Sequence, residues 1–452
     1  MRQSYRPAIP PKPQPYRTQI LDHLGLVAGM FEELGITEVI DKATQQDPEM
    51  RIVTAGHAVK AMVLNGLGFL NQQLYLVPHF FQNKPISRLI APGIQASHLN
   101  DDTLGRALDT LYETGVTELY SLIAATAATR LGLTPTFAHL DSTSFHVDGR
   151  YKSGEEPAEA VIPITPGYSR DHRPDLNQVM LDLIVEHQAG IPVLMKPLSG
   201  NSRDKTDFGQ IVHDHLGQLP ITYGTTYMVA DSALYSADNL QKLADTGTKW
   251  ITRVPATLTE AQEVLAQADP TTMTLLQEGY RYHTVASSYG GVGQRWLVLY
   301  SEHRQPQAQR AVDKRWRKQS EHEAHTFHQL CRTAFACEAD AQQALATFER
   351  SLQRTFVSQV ALHPTPHYGR RGRPRPGSAP QRIDYHIDGA LASALAARQH
   401  VGIQQSCFIL ATNELDDHAL APQEVLEGYK GQKHAERGFR FLKAPHFVAT
   451  SL

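Results

Sequence analysis

Three carboxylates stand out by the company they keep. Asp141 closes an apolar, strand-like run in HLDSTSFH, and Asp231 closes another in MVADSALY. Glu436 lies far downstream in YKGQKHAERGFRFLK, residues 429–443. Carboxylates crowded together repel and titrate abnormally unless a cation sits among them. Hard oxygen ligands with open positions suit Mg²⁺ or Mn²⁺ rather than zinc. Two such ions about 4 Å apart activate an attacking oxygen and stabilise a leaving one in phosphodiester chemistry. Strand-end Asp residues also cap local turns, and spacing alone leaves both readings open.

For the first reading, the acids must be held by elements that meet. The stretch 429–443 follows Pro422, a residue tolerated in a first helical turn, and stops before Pro445, which cannot continue one. At about 100° per residue, Tyr429, Gln432, Glu436 and Lys443 fall within roughly 60° of one another on a single helix. Phe439, Phe441 and Leu442 supply an apolar surface to dock that helix on a sheet. A solvated helix face is the plain alternative for a lone carboxylate.

The frame for these elements is an ordinary globular one. With 452 residues, 41% hydrophobic and 20% charged, the chain is long enough for two or three domains with sizeable cores. A formal charge of −3 does not advertise a nucleic-acid binder, so any such surface must come from local basic patches. Three cysteines without a CxxC pair argue against a disulfide framework or a structural zinc site, and fit a reducing cytosol. The Pro-rich, polar start is not a signal peptide, and no apolar run reaches the roughly 18 residues of a membrane span.

Taken in order, residues 1–17 read as a flexible leader. Residues 18–133 read as an all-α domain of four to six helices that serves DNA binding or dimerisation. One of its helices turns Val59, Met62, Val63, Gly66 and Leu70 inward, and another, capped by Asn100 or Asp101, turns Leu104, Leu108 and Leu111 inward. From 134 to 255 the pattern changes to strand, strand, strand, helix, strand, helix, strand. Ala189-Gly190 supplies a hairpin turn there, and a helix runs from Ser202 or Asp204 through Ile211. Residues 256–405 form an insertion with a β-hairpin around Gly290-Gly291, a helical stretch over 303–353 and a basic loop at 367–380. Residues 406–452 return to the core through CFILAT and the Glu436 helix. The predicted class is α/β, a mixed sheet with helices covering it, preceded by a small all-α domain.

These motifs together carry a resemblance. DST after an apolar strand, AD at the end of a later one, and Y-x2-Q-x3-E-x6-K jointly resemble the DDE transposases of bacterial insertion sequences, in particular the insertion-sequence-4 group. GYSRDHRPDLNQVMLDLIV, residues 167–185, is similar to the segment leading into that group's second strand. Ninety residues separate the two Asp residues, and 205 separate Asp231 from Glu436, room for the large insertion the group carries. The resemblance spans roughly 136–446 and departs from the group's pattern at Gln432, where Arg is usual. It implies a ribonuclease-H-like core with a β-rich and helical insertion, and Asp141, Asp231 and Glu436 as ligands of two Mg²⁺ or Mn²⁺ ions. It implies strand cleavage at element ends and strand transfer into target DNA. It further implies terminal inverted repeats and target DNA as double-stranded partners, a homodimer in the DNA complex, and a location in the bacterial cytoplasm, near the nucleoid. Tyr429, Lys443 and Arg440 would contact DNA, with Gln432 giving one hydrogen bond where Arg would give a charged fork.

Further candidates carry two readings each. Trp296 either stacks on an extruded base or fills a hairpin core. Arg170 and Arg173, with His172, either hold phosphate or serve loop contacts with Asp171 and Asp175. Arg371 and Arg373, in HYGRRGRPRPGSAP, either enter a minor groove or belong to a solvated linker. His139 and His146 flank Asp141, yet no second His/Cys pair has zinc-ligand spacing. Cys331 and Cys337 read as small core residues on a helix. A chain stopping nine residues after Lys443 also admits a catalytically silent DNA-binding remnant acting as an inhibitor. A paired-carboxylate glycosidase explains neither Lys443 nor the basic insertion.

Overall fold

The computed structural model describes residues 19, 21–46, 51–67, 73–147, 162–167, 173, 175–202, 226–369 and 377–443. All of the helix expected from Ser202 or Asp204 through Ile211 except Ser202 itself falls outside them, as do the Arg370–Arg375 part of the basic loop, Arg170 and His172. Two compact units divide the chain: Met1–Ile251 with Glu427–Leu452, and Thr252–Leu426.

The first unit opens with helices α1 (Leu24–Glu33), α2 (Ile36–Ala43), α3 (Ala55–Leu67), α4 (Val77–Phe81), α5 (Ile86–Leu89), α6 (Asp101–Thr114) and α7 (Val116–Arg130). Seven helices among the described residues exceed the expected four to six, because α4 and α5 are too short to leave a helical period in the sequence. α3 turns Ala58, Ala61 and Leu64 inward, while Val59, Met62 and Val63 are only half-buried. Asn100 caps α6 by accepting from the Thr103 N–H at 2.9 Å, as expected. Leu104 is buried there, but Leu108 faces solvent and Ala107 takes its place. Asp41 is buried at the start of α3, where it accepts from the Gly56 N–H at 2.7 Å and the Thr54 hydroxyl at 2.8 Å. α7 packs on the sheet of the same unit, with the Tyr120 hydroxyl donating to the Pro192 carbonyl.

That sheet holds β1 (Phe137–Val147), β2 (Thr165–Pro166), β3 (Asn177–Glu186), β4 (Pro192–Leu198), β5 (Tyr227–Ala230) and the start of β6 (Lys249–Arg253). β3 runs antiparallel to both β1 and β4, and β1 runs parallel to β5. An antiparallel meander followed by a parallel neighbour of its first strand is the ribonuclease-H-like arrangement. The β3–β4 loop is longer than the Ala189-Gly190 turn suggests. The buried Glu186 carboxylate accepts from the N–H groups of Gln188, Ala189 and Ile191, which draws residues 187–191 into a compact loop. α8 (Ala237–Asp245) follows, capped by Ser236 and burying Leu240 and Leu243.

The second unit contains α9 (Thr259–Ala266), β7 (Thr274–Gln277), β8 (Tyr280–Tyr289) and β9 (Val292–Ser301). Gly290 and Gly291, both with positive φ, join β8 to β9 in the expected hairpin. Then come α10 (Gln305–Arg332), α11 (Glu338–Ser351), β10 (Thr355–His367), β11 (Arg382–Ser393), α12 (Leu395–Ser406) and β12 (Cys407–Thr412). β12 pairs with β9, giving the order β12-β9-β8-β7. The helical stretch 303–353 is two helices, and Cys337 is not a core residue: it is exposed and its Sγ accepts from the Asp340 N–H as the cap of α11.

The antiparallel ribbon β10–β11 has no counterpart in the sequence reading. Pro364 and Pro366 mask β10, since proline is tolerated in strands chiefly at edges, and a two-stranded ribbon is all edge. Its base is tied to α10 by Glu323, a buried carboxylate. Glu323 accepts from the N–H groups of Gln353, Arg354 and Thr355 and from the Thr355 hydroxyl at 2.6 Å. Burial works to raise its pKa, but the bonds from Thr355, Gln353, Gln319 and Arg354 outweigh burial and hold it below the usual Glu value.

A folded-state pKa below the unfolded one means a stabilisation present above the unfolded Glu value and lost as pH falls through the folded value. Glu323→Ala should therefore destabilise the second unit by about 3 kcal/mol at neutral pH, because several part-buried donors lose their shared charged partner. Urea unfolding at neutral and acid pH should show this gap narrowing as pH drops.

Candidate active site

β1 and β5 bring the two Asp residues together. Leu140 pairs with Ala230 in parallel register, so Asp141 and Asp231 are the next residues along two adjacent strands. Neighbouring strands lie roughly 4.8 Å apart, which puts both half-buried carboxylates side by side where β5 ends. β1 continues to Val147, so Asp141 lies within its strand rather than closing it. Each carboxylate is oriented by a local bond. Asp141 Oδ1 accepts from the Ser142 N–H at 2.9 Å, and Asp231 Oδ1 accepts from the Ala233 N–H at 2.8 Å. The turn-capping role and the shared position coexist; neither excludes the other.

The stretch 429–443 is not one helix. α13 (Pro422–Lys430) ends at a turn over Gly431 and Gln432, and α14 (Lys433–Leu442) begins after it. The reason lies in β1. A Cβ at Gly428 would stand 3.0 Å from the Phe137 ring, and one at Gly431 would stand 2.8 Å from His139 Nε2. Two glycines three residues apart let the end of α13 lie directly on the Phe137 and His139 face of β1. The price is a helix break, so the sector of 60° expected of an unbroken helix does not describe Tyr429, Gln432, Glu436 and Lys443.

α14 then runs along the same face. Ala435 and Phe439 pack against Leu183 and Val185 of β3, which pair with Asp141 and His139 respectively. Further on, the Lys443 ammonium lies 5.8 Å from the centroid of the Phe145 ring, two strand positions beyond Thr143 on the Asp141 face. Glu436 follows Ala435 on this helix and is exposed. Tyr429 and Gln432 are half-buried and Arg440 is exposed. Among the described residues no three of His, Cys, Asp and Glu are gathered closely enough to hold a metal ion, so the three acids are not a closed cluster. Their donor chemistry does fit a hard divalent cation: two side-by-side carboxylates on rigid strands and a third on the helix above.

The other expected contacts separate. Trp296 is completely buried in β9, between its partners Ala411 and Val285, and its Nε1 donates to Gln294 Oε1 at 2.9 Å. It cannot stack on an extruded base; it fills the hairpin core instead. Arg173 forks onto Asp175 through Nε at 3.0 Å and Nη2 at 2.9 Å, the loop contact that competed with phosphate. That guanidinium holds the exposed Asp175 carboxyl below its usual range. Arg170, Arg371 and Arg373 lie outside the described residues. Phe145, Gly428 and Gly431 were missed from the sequence, although a G-x-x-G at a helix end is a readable sign of close backbone approach.

The transposase DDE domain family matches residues 133–448, well over half of the chain. The chain belongs to that family. A second match, to a domain of unknown function (DUF4277), covers residues 16–125, ahead of the transposase domain. No curated protein matches the chain. Among solved structures, the piggyBac transposase in a synaptic complex with hairpin DNA is similar at 12% identity and a TM-score of 0.32, over 61% of this chain. The matched part spans only 58% of that chain, and a likeness at this level decides nothing about the present DDE-family protein.

Trp296→Ala should cost about 3–5 kcal/mol of stability by opening a cavity in the hairpin core. Chemical denaturation of the variant checks this; a folded, equally stable variant with impaired DNA handling would restore the base-stacking role.

Proposed function

We propose that the protein is a transposase of the insertion-sequence-4 group that cleaves DNA at the ends of a mobile element and joins the freed 3′-hydroxyl to target DNA, a cut-and-paste reaction. The observation that supports it most is the parallel register of β1 and β5, which sets Asp141 beside Asp231 beneath the helix bearing Glu436. In this reading Asp141, Asp231 and Glu436 together hold two Mg²⁺ or Mn²⁺ ions. When bound, those ions supply Lewis-acid stabilisation of an attacking and a leaving oxygen.

The residues of the chain do the rest. Asp141 and Asp231, each oriented by a backbone N–H, keep their carboxylates in place without loss of side-chain entropy at the moment of reaction. Lys443, seated on Phe145, brings a cation to the phosphate flanking the cleaved bond, and Tyr429 and Gln432 add hydrogen bonds. Gln432 lacks Arg's charge and fork, so the grip on that phosphate is weaker than an Arg would give. In the first step a water oxygen bonds to phosphorus and the 3′ oxygen leaves as a hydroxyl. In the second that hydroxyl bonds to a target phosphorus and displaces the target's own 3′ oxygen. Terminal inverted repeats are the specific partner, two copies of the chain pair the two ends, and the setting is a bacterial nucleoid.

Incubating the protein with DNA from the flanks of its own coding region should give Mg²⁺-dependent nicks. Asp141→Asn, Asp231→Asn and Glu436→Gln should each lower nicking by at least about a hundredfold. Isothermal titration with Mn²⁺ should show the same three changes weakening metal binding in the intact protein. Nicking that persists in Asp141→Asn, or in chelator, would sink the assignment.

A further inference from the structure

The longest helix of the second unit carries a surface that the three-carboxylate chemistry does not use. α10 runs 28 residues, about 42 Å, and its inner face is fixed by Val312, Trp316, Glu323 and Phe327, all buried. Trp316 is covered by the Arg354 guanidinium at 4.6 Å, and Glu323 is bonded to the start of the ribbon, so the helix cannot roll about its axis. Asp313 is taken by Arg398 of α12 at 2.7 Å. With the inner face pinned, the outer face is determined by the helical period alone.

That outer face is cationic. Arg310, Lys314, Arg317 and Lys318 fall within roughly 100° of one another, opposite Trp316, and all four are exposed. Among the described residues none of the four makes an ion pair or a side-chain hydrogen bond. Arg310, Lys314 and Lys318 recur about every 6 Å along the axis. The exposed acid of the helix, Glu321, comes after Lys318 and bounds the stripe at its C-terminal end without interrupting it. In a chain with a formal charge of −3, four cations that make no ion pair on one held face are a local excess of positive charge.

We propose that this face of α10 binds the phosphate backbone of duplex DNA without preference for base sequence. The partner is set by charge complementarity: a duplex presents a dense row of phosphates, whereas Arg and Lys side chains on a convex helix face offer charge and no pocket in which to read a base edge or bury an apolar group. This rests on the transposase reading and assigns it a DNA contact separate from the carboxylates, one suited to target or flanking duplex, whose sequence the enzyme need not know.

The test is fluorescence anisotropy with the full-length protein, a labelled random-sequence duplex of about 30 base pairs, chelator to prevent cleavage, and a series of KCl concentrations. The unaltered protein should bind with a steep salt dependence. The quadruple variant Arg310→Gln, Lys314→Gln, Arg317→Gln, Lys318→Gln should lose about 3.6 from the slope of log K against log salt, at roughly 0.9 for each of four phosphate contacts. Its melting temperature should be unchanged, since the four side chains make no polar contact in the fold. Arg310→Lys with Arg317→Lys, which keeps the charge, should keep the slope. If the unaltered protein binds and the quadruple variant keeps its slope, α10 is not the contact and the transposase reading stands. If the unaltered protein binds no duplex at any salt, both fall.

Discussion

Parallel strands cannot be joined by a tight turn, so Asp141 and Asp231 become neighbours only after the chain has made a meander and crossed back to the first strand. The pairing of β1 with β5 is therefore the constraint on which the site depends. It converts a separation of 90 residues into one inter-strand spacing, and it does so with backbone hydrogen bonds, which tolerate sequence change elsewhere in the crossover. Because β5 stops at Ala230, the two acids sit just past the region where these strands pair, where a substrate can approach. An antiparallel pairing of the same two strands would have carried Asp231 to the opposite end of the shared segment, away from Asp141.

Glu436 is carried by a different kind of element. Nothing covalent or hydrogen-bonded in the strands dictates where Glu436 goes; its position follows from how closely a helix can lie on β1. Gly428 and Gly431 set that distance, and Ala435, the smallest side chain that packs on Leu183 and Val185, maintains it. The same closeness breaks the helix at Gly431, and the break leaves α14 free to take its direction from the sheet rather than from α13. Three carboxylates drawn fully together would repel in the absence of a counter-charge. Glu436 rides on a helix that docks through a few apolar contacts rather than on a paired strand, so its backbone is not tied to the register of the sheet.

The elements legible in the sequence are those with strong local signals. The Gly290-Gly291 hairpin, the Asn100 and Ser236 caps and the apolar strands that carry the two Asp residues all announce themselves within a few residues. What escaped reading depends on contacts between distant segments. The β10–β11 ribbon is hidden by Pro364 and Pro366, and only pairing with a partner strand makes β10 a strand. Trp296 has the composition of a base-stacking residue, and its burial is decided by β12, more than a hundred residues later. The inward face of α3 is set by alanines, whose short side chains let helices approach, while the larger Val59 and Met62 that dominate any hydrophobicity count sit at the rim. In the candidate site itself, the acids and Lys443 are proposed from a motif resemblance, spacing alone leaving the acids open, whereas Phe145 beneath Lys443 is not, since an aromatic in a strand carries no mark of what will rest on it.

The second unit shows how a charged surface acquires a direction. A helix with four cations on one side has no preferred orientation until its other side is committed, and burial of Trp316 and Phe327 alone would leave some rotation about the axis. Glu323 removes that freedom, because a carboxylate bonded to three successive backbone N–H groups is fixed in both distance and angle. A buried acid is thus the element that presents the exposed bases. Replacing it by an apolar residue of similar volume would keep the helix packed but release its bearing, so the orientation of the basic stripe is the feature that this buried charge specifies.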